Sequence, residues 1–363
     1  MHALSAIVRL AGFAIVLAVV VSALPRAAQI DGEEVIFYPT YGFRQGASWV
    51  IPLRAKVQEP RDVKAVFTAL FAGLPARGTD DTARFRARIA DFLADDESGE
   101  SVRLRFERDP DNVEHRMTDG RGGFPETDGD GVVEGVITLA DEAARRLLER
   151  QASSDGWLSF RATSSEHRGT GRVRLIEPAG VSVVSDVDDT VKVTEIPAGA
   201  STVAVNTFYR PFVATTELAG RYAGAAAFHY VSGGPWQIYR PVSAFLAGEG
   251  RFPEGSFHMR RIGGSITRPV TSLEALSQFV MAGGTFEHKV SAITTLMERF
   301  PGRTFVLIGD SGEQDPEVYQ AIASRFGGRV LEIVIRDVVN ARERDPKRLA
   351  GMTVVPAPTV SPR

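Results

Sequence analysis

Residues 181–190 read Val181-Ser182-Val183-Val184-Ser185-Asp186-Val187-Asp188-Asp189-Thr190. An apolar run of strand length empties directly into a cluster of acids, and the chain beyond it keeps that rhythm. Apolar runs at 226–232, 256–262, 304–308 and 330–335 alternate with helical periodicity near 216–223, 236–246, 273–281, 289–300 and 316–326. Strands separated in this way are joined by helical crossovers, so the pattern predicts an α/β fold with a parallel sheet whose first strand is 181–185. No repeat of fixed period is visible.

Upstream the texture is different. Short β-rich runs at 34–38, 48–57, 101–107, 132–139, 157–163 and 172–176 are separated by polar turns, and Val102, Leu104 and Phe106 alternate with Arg103, Arg105 and Glu107. That period of two marks a sheet with one wet face, and the set predicts antiparallel strands in a small β-sandwich. Helical periodicity interrupts it at 62–74 and 81–94. The stretch 109–130 is dense in Gly, Asp and Arg; its acids lack the twelve-residue calcium-loop spacing and read as solvated turns. The expected organisation is a β-rich domain over 32–177 with a helical insert, an α/β domain over 178–345 and a flexible tail over 346–363, rich in Pro, Ser and Thr from Val355.

Residues 1–28 read as an export signal. Arg9 precedes an uncharged run from Leu10 to Leu24 that is 15 residues long, short of the ~20 a spanning helix needs, and Val21-Ser22-Ala23 offers small residues for cleavage after Ala23. If the segment stays uncut it becomes an anchor with its N-terminus inside, and the body lies on the extracytoplasmic, periplasmic side in either case.

With 363 residues, 44% hydrophobic and 24% charged, the chain has a globular composition. A net charge of -3, from 42 bases and 45 acids, gives no basic excess for nucleic acid. The absence of cysteine excludes disulfides, thiolate nucleophiles and sulfur-bound zinc.

Ligands of doubly wound sheets sit beyond the carboxyl ends of the strands, and four such places carry reactive groups. They are Asp186 to Thr190, then Ser232-Gly233-Gly234, then His288-Lys289 opening a helix, then Gly309-Asp310-Ser311-Gly312-Glu313-Gln314-Asp315. Asp186 and Asp188 are two apart and project on one side of a strand end, while Asp310 and Asp315 leave another. Converging acids repel unless one is protonated or a cation lies between them, and an all-oxygen set suits magnesium. Taken alone, Asp188-Asp189-Thr190 reads first as an Asx turn capping the next segment of chain, but here it is not isolated. Lys289, placed in the first turn of a helix that starts at 289, faces an unfavourable dipole that an anion offsets. A phosphoryl group held by Lys289, the Ser232 hydroxyl and the Gly233 and Gly234 backbone N–H groups satisfies both demands; an exposed lysine lying along its helix is the alternative.

The four pieces in this order, DxDxT, Ser after an apolar strand, Lys, then GDxxxxD, resemble the haloacid dehalogenase-like phosphatase superfamily. Asp188-Asp189-Thr190-Val191-Lys192-Val193-Thr194-Glu195, Tyr230 to Ser232 with Pro235-Trp236-Gln237-Ile238-Tyr239, His288-Lys289 and Gly309 to Pro316 look more specifically like the actin-patch-associated phosphatidate phosphatase family. Its bacterial members are also similar at Phe37 to Gly42 and Trp49 to Pro52, so the resemblance covers most of 35–338; it departs at Gly233-Gly234, where a bulkier residue is expected, and in the export signal. The resemblance implies a haloacid dehalogenase-like Rossmannoid sheet. It implies Asp186 as nucleophile, Asp188 as acid and base, and Thr190 closing the motif. It also implies Ser232, Gly233 and Lys289 on phosphate, and Mg2+ on Asp186, the Asp188 carbonyl, Asp310 and Asp315. The inserts at 194–215 and 263–287 are small, so an open site for a phospholipid or other membrane-surface substrate is expected. Phe208, Tyr209, Arg210 and Phe212 offer a lip, and Arg260 and Arg261 offer contacts to the rest of the headgroup; core packing and surface arginines are the plain alternatives. Rival readings are a phosphoprotein, polyprenyl or glycan phosphate as substrate, or a non-catalytic envelope binding protein. Oligomeric state is not readable from the sequence.

Overall fold

The computed structural model describes residues 33–60, 70–75, 77–164, 167–222, 227–263, 266, 270–281 and 284–358. The export segment and most of the stretch at 62–74 lie outside them; Leu70 and Phe71 are described and buried.

Ten strands make the first sheet: β1 Glu33–Phe37, β2 Thr40–Gln45, β3 Ser48–Glu59, β4 Asp95–Asp96, β5 Arg103–Phe106, β6 His115–Arg116, β7 Val132–Ala140, β8 Trp157–Ala162, β9 His167–Arg168 and β10 Thr170–Leu175. They hydrogen-bond in the order β6-β5-β8-β10-β2-β3-β1-β9, with β4 and β7 both on β3. The pairing is antiparallel except for β10 with β2 and β1 with β9. Along β3, Trp49, Ile51, Leu53 and Ala55 face inward, alternating with partly exposed neighbours, as period two requires. The helix Asp141–Gln151 lays Ala144 and Leu147 into the same core. The acids of 109–130 do form turns: Asp109, Asp119 and Asp128 each accept bonds from backbone N–H groups two and four residues on.

Six parallel strands make the second sheet: β11 Gly180–Ser185, β12 Ala227–Pro235, β13 Ser256–Arg260, β14 Arg303–Asp310, β15 Val330–Asp337 and β16 Thr353–Pro356. The order is β13-β12-β11-β14-β15-β16, so the chain builds outward on one side of β11 and then restarts on the other. The restart makes β11 and β14 the pair at which winding reverses, the place where such sheets open a crevice. Val183 and Val184 of β11 are both buried, one on each face, because helices cover both sides.

Three sequence expectations change. The tail at 346–363 carries β16, paired in parallel with β15 from Val334↔Thr353 to Asp337↔Pro356. The helix expected at 216–223 is only a one-turn 3-10 segment, Ala219–Tyr222, because the chain before it is drawn into turns, the Thr215 hydroxyl donating to Thr190 O at 2.6 Å. The helix expected from 289 begins at Thr285, since Gly284 at φ 85° supplies the left-handed N-cap a full turn earlier.

A boundary at 178 separates the two sheets but not the core. One hydrophobic cluster joins Ile36, Tyr38, Phe85, Ile89 and Phe92 to Val183, Val187, Phe208, Phe228 and Tyr230. Arg240 beside the parallel sheet reaches Glu34 at 2.7 Å and Asp91.

Candidate active site

The end of β11 is held in register by β14: Asp186 N donates to Ile308 O at 2.9 Å. This sets Asp186 next to Asp310, the last residue of β14. Asp315 opens the helix Asp315–Phe326, where an acid complements the positive end of the helix dipole. The approach depends on Gly309, since a Cβ there would lie 2.7 Å from Asp315 Cβ. One carboxylate oxygen each of Asp186, Asp310 and Asp315 lies within 4.8 Å of the others, and all three residues are fully buried.

Lys289 is driven into this cluster from the second turn of its helix. Its Nζ donates to Asp186 Oδ1 at 2.8 Å and Asp315 Oδ1 at 2.5 Å, and lies 3.4 Å from Glu313 Oε2. The offset to its charge is therefore acidic side chains, and the expected first-turn dipole conflict does not arise. Burial pulls the Lys289 ammonium down, but Asp186, Asp315 and Glu313 together hold it well above its ordinary range. Burial, Asp315, Glu313 and Asp188 push the Asp186 carboxyl well up in spite of Lys289, and burial with Asp315, Asp186 and Glu313 does the same to Asp310. One cation does not balance the set. Asp186 Oδ2 and Asp310 Oδ2 are buried with no hydrogen-bond partner, the condition expected of acids arranged to take a divalent ion.

The Asp188 side chain turns elsewhere, accepting from Lys192 Nζ at 2.6 Å and Thr194 Oγ1 at 2.7 Å. Burial raises its carboxyl, but Lys192 and Thr194 outweigh that and hold it below the ordinary aspartate range. Asp189, at φ 54°, accepts from the N–H groups of Thr194, Glu195 and Ile196 and fixes this loop. Thr190 is fully buried and its hydroxyl has no hydrogen-bond partner. Lys192 lies one helical turn's spacing from Asp188, and Glu313 lies inside the acid-rich 309–315 run. Those spacings were the available signals for two residues that carried no role in the sequence reading.

Ser232 Oγ accepts from Gly234 N at 2.9 Å, shaping the loop at the end of β12. Gly233 has a direct steric reason: a Cβ there would lie 2.7 Å from Thr285 Cγ2, so the bulkier residue expected at this position does not fit. Gly233, Gly234 and Thr285 line a cavity of about 70 Å³ together with Asp188, Lys192, Glu313 and the apolar side chains of Ile196, Val203, Ile238 and Val242. The 194–215 insert forms part of the wall of this cavity. The helices Ala200–Ala204 and Val205–Tyr209, within the 194–215 insert, account for Val203 and Thr207 in that wall.

The expected lip is core instead: Phe208, Tyr209 and Phe212 are buried, with Tyr209 stacked on Phe85 at 4.6 Å. Local sequence does not reveal that the helix Thr79–Ile89 packs over them. Arg261 reaches Asp128 and Asp130 at 2.6 and 2.7 Å and so braces the β-rich region. Arg260 Nε donates to Gly233 O at 2.9 Å, buttressing the loop after β12.

Residues 181–337 match the family described as the catalytic domain of phosphatidate phosphatase APP1. An uncharacterized protein of Schizosaccharomyces pombe is 30% identical over 174 residues, 46% of this chain and 27% of that protein. Phosphatidate phosphatase APP1 of Saccharomyces cerevisiae is 26% identical over 179 residues, 47% of this chain and 28% of that protein. The alignments therefore span under a third of either relative's length. Among solved structures, a β-glucuronidase from Ruminococcus gnavus aligns with TM-score 0.22 and 10% identity over 86% of this chain and 44% of its own, too weak a likeness to bear on the fold. The region holding the acid cluster, residues 181–337, is thus the part of the chain that resembles the phosphatidate phosphatase APP1 catalytic domain.

Proposed function

We propose that this chain is a magnesium-dependent phosphatidate phosphatase, a phosphoric monoester hydrolase releasing phosphate and diacylglycerol. The observation that carries this reading is the convergence of Asp186, Asp310 and Asp315 within 4.8 Å at the reversal point of a parallel sheet, with two carboxylate oxygens left bare. The family match supports the substrate class. In this reading the sheet is haloacid dehalogenase-like and Rossmannoid, and the β-rich region packs as a sandwich beside it.

Mg2+ fits the all-oxygen set of Asp186, Asp310 and Asp315, with the Asp188 carbonyl; it supplies charge neutralisation where an anionic nucleophile meets an anionic phosphate. Asp186 attacks phosphorus in line: its oxygen forms a bond to phosphorus as the bond to the ester oxygen breaks, leaving an aspartyl-phosphate. Lys289 holds the other Asp186 oxygen and orients it. Asp188 gives its proton to the departing alkoxide and then takes one from the water that cleaves the aspartyl-phosphate. Without substrate, Lys192 keeps Asp188 ionised; an arriving phosphate dianion raises it toward the proton-donating form. The apolar wall of Ile196, Val203, Ile238 and Val242 beside Asp188 favours a lipid over a sugar or peptide phosphate.

Arg9 and the apolar run after it support export, with residues 10–24 as signal or anchor. Among the described residues no helix is long and apolar enough to cross a membrane.

Phosphate release from phosphatidate vesicles, with Mg2+ and with EDTA, tests the reading against phosphopeptides. Faster release from peptides removes the lipid assignment, and release by Asp186→Asn equal to that of the unaltered protein removes the catalytic one.

A further inference from the structure

The β-rich sheet holds a second group of converging ligands. Parallel pairing of β1 with β9 sets Glu33 opposite His167. Glu100 arrives from the loop before β5, which is held by Thr127: Glu100 N donates to Thr127 Oγ1 at 2.8 Å, and Thr127 N donates to Glu100 O at 3.0 Å. One ligand atom from each of the three residues lies within 4.8 Å of the others.

The imidazole is the informative member. His167 Nε2 is 2.8 Å from Glu33 Oε2 and 3.4 Å from Glu100 Oε2, yet neither of its ring nitrogens makes a hydrogen bond, and its side chain is 4% exposed. A buried nitrogen that makes no hydrogen bond, with two carboxylate oxygens this close, is a set that a shared cation would satisfy. Negative charge is also crowded here: burial, with Glu59, Asp95, Glu33 and Glu100, holds the Glu97 carboxyl above its ordinary range.

We infer that Glu33, Glu100 and His167 bind one divalent transition-metal ion of the zinc class, at a site separate from the acids of the parallel sheet. An imidazole with two carboxylates suits such an ion and does not suit magnesium, which prefers oxygen alone. Bonds of about 2.1 Å set tetrahedral ligands ~3.4 Å apart; the His167–Glu100 separation is 3.4 Å, and the His167–Glu33 separation, at 2.8 Å, would widen on binding. The Glu33 and Glu100 side chains are 20% and 32% exposed, which leaves water a path to the remaining position. The ion ties the first described strand and β9 to the loop before β5, so its role is to hold the edge of this sheet.

The test uses the full chain, stripped with EDTA and dialysed against zinc chloride in excess magnesium, with bound zinc counted by mass spectrometry and melting followed in parallel. The expected result is one fewer zinc per chain in His167→Gln and in Glu100→Gln than in the unaltered protein. Zinc should also raise the melting temperature of the unaltered protein by on the order of 5–10 °C, a rise both variants lack. Equal zinc counts in all three proteins overturn the inference, as does a melting rise that survives in Glu100→Gln. Glu100 is half outside the core, so its variant keeps the test valid if His167→Gln does not fold. Because the readout is zinc and melting, failure here leaves the phosphatase reading untouched, and loss of phosphatase activity would not by itself remove the zinc site.

Discussion

Among the described residues two clusters of three converging ligand residues occur, and they are built on opposite principles. Asp186, Asp310 and Asp315 sit at 0% exposure, the first two at the ends of parallel strands and the third opening a helix, with Lys289 wedged among them. Glu33, Glu100 and His167 sit at an edge of the mostly antiparallel sheet, its carboxylates partly wet. Burial makes the first cluster costly, and the cost is met only in part by one lysine; such stored charge is what a phosphoryl-transfer site uses. The second keeps much of its solvation and suits a bond that fastens loops.

The largest effect expected from breaking the first cluster is on rate. Asp186→Asn should lower phosphate release by about 10³-fold or more, since it removes the proposed nucleophile, while circular dichroism stays unchanged. Next is stability: Lys289→Met leaves buried acids without their cation and should cost ~3–5 kcal/mol in urea unfolding. Glu100→Gln, measured alongside without metal, should cost far less because its charge is partly solvated.

pH separates the clusters further. Asp186 and Asp310 have folded-state pKa values above their ordinary 3.8, so the folded protein binds more protons than the unfolded chain. The associated stability is fully present below about 3.8 and is lost as pH rises through the folded values. Metal-free protein should therefore lose stability as pH rises above about 3.8 in urea titrations, and Mg2+ should flatten that slope. A flat metal-free profile would contradict the balance of charge described for this site.

A smaller effect is expected at Gly233→Ala, where the new Cβ meets Thr285 Cγ2; about 1–3 kcal/mol of destabilisation should be relieved by adding Thr285→Ser, measured as a double-mutant cycle. Smallest is Arg261→Ala. Its partners are Asp128 and Asp130 on a partly exposed surface, so stability should fall by roughly 0–1 kcal/mol and KM should not move. A large rise in KM would return Arg261 to the substrate.

How much of this was legible varied with the range of the interaction. The strands of the parallel sheet were readable as apolar runs, and the acids at their ends by position alone. The start of the Lys289 helix was misread because apolar periodicity marks a helix body, whereas Gly284 sets its beginning. The packing of Tyr209 on Phe85 and the pairing of Arg261 with Asp128 and Asp130 were not legible, because an aromatic or an arginine in a loop carries no sign of what will pack against it. β16, short and Pro-ended, has no strand signature of its own and exists through its pairing with β15.

The sequence by itself determined the order of the strands that bear Asp186, Ser232 and Asp310, because hydrophobic periodicity and strand-end chemistry are local properties written in consecutive residues. Tertiary structure alone decided that Asp186, Asp310 and Asp315 share one buried point with Lys289, that the insert after Asp188 lines the cavity beside Asp188 and Glu313, and that Glu33, Glu100 and His167 meet. Each of these depends on strand register and on which face a side chain presents, and no spacing along the chain encodes either.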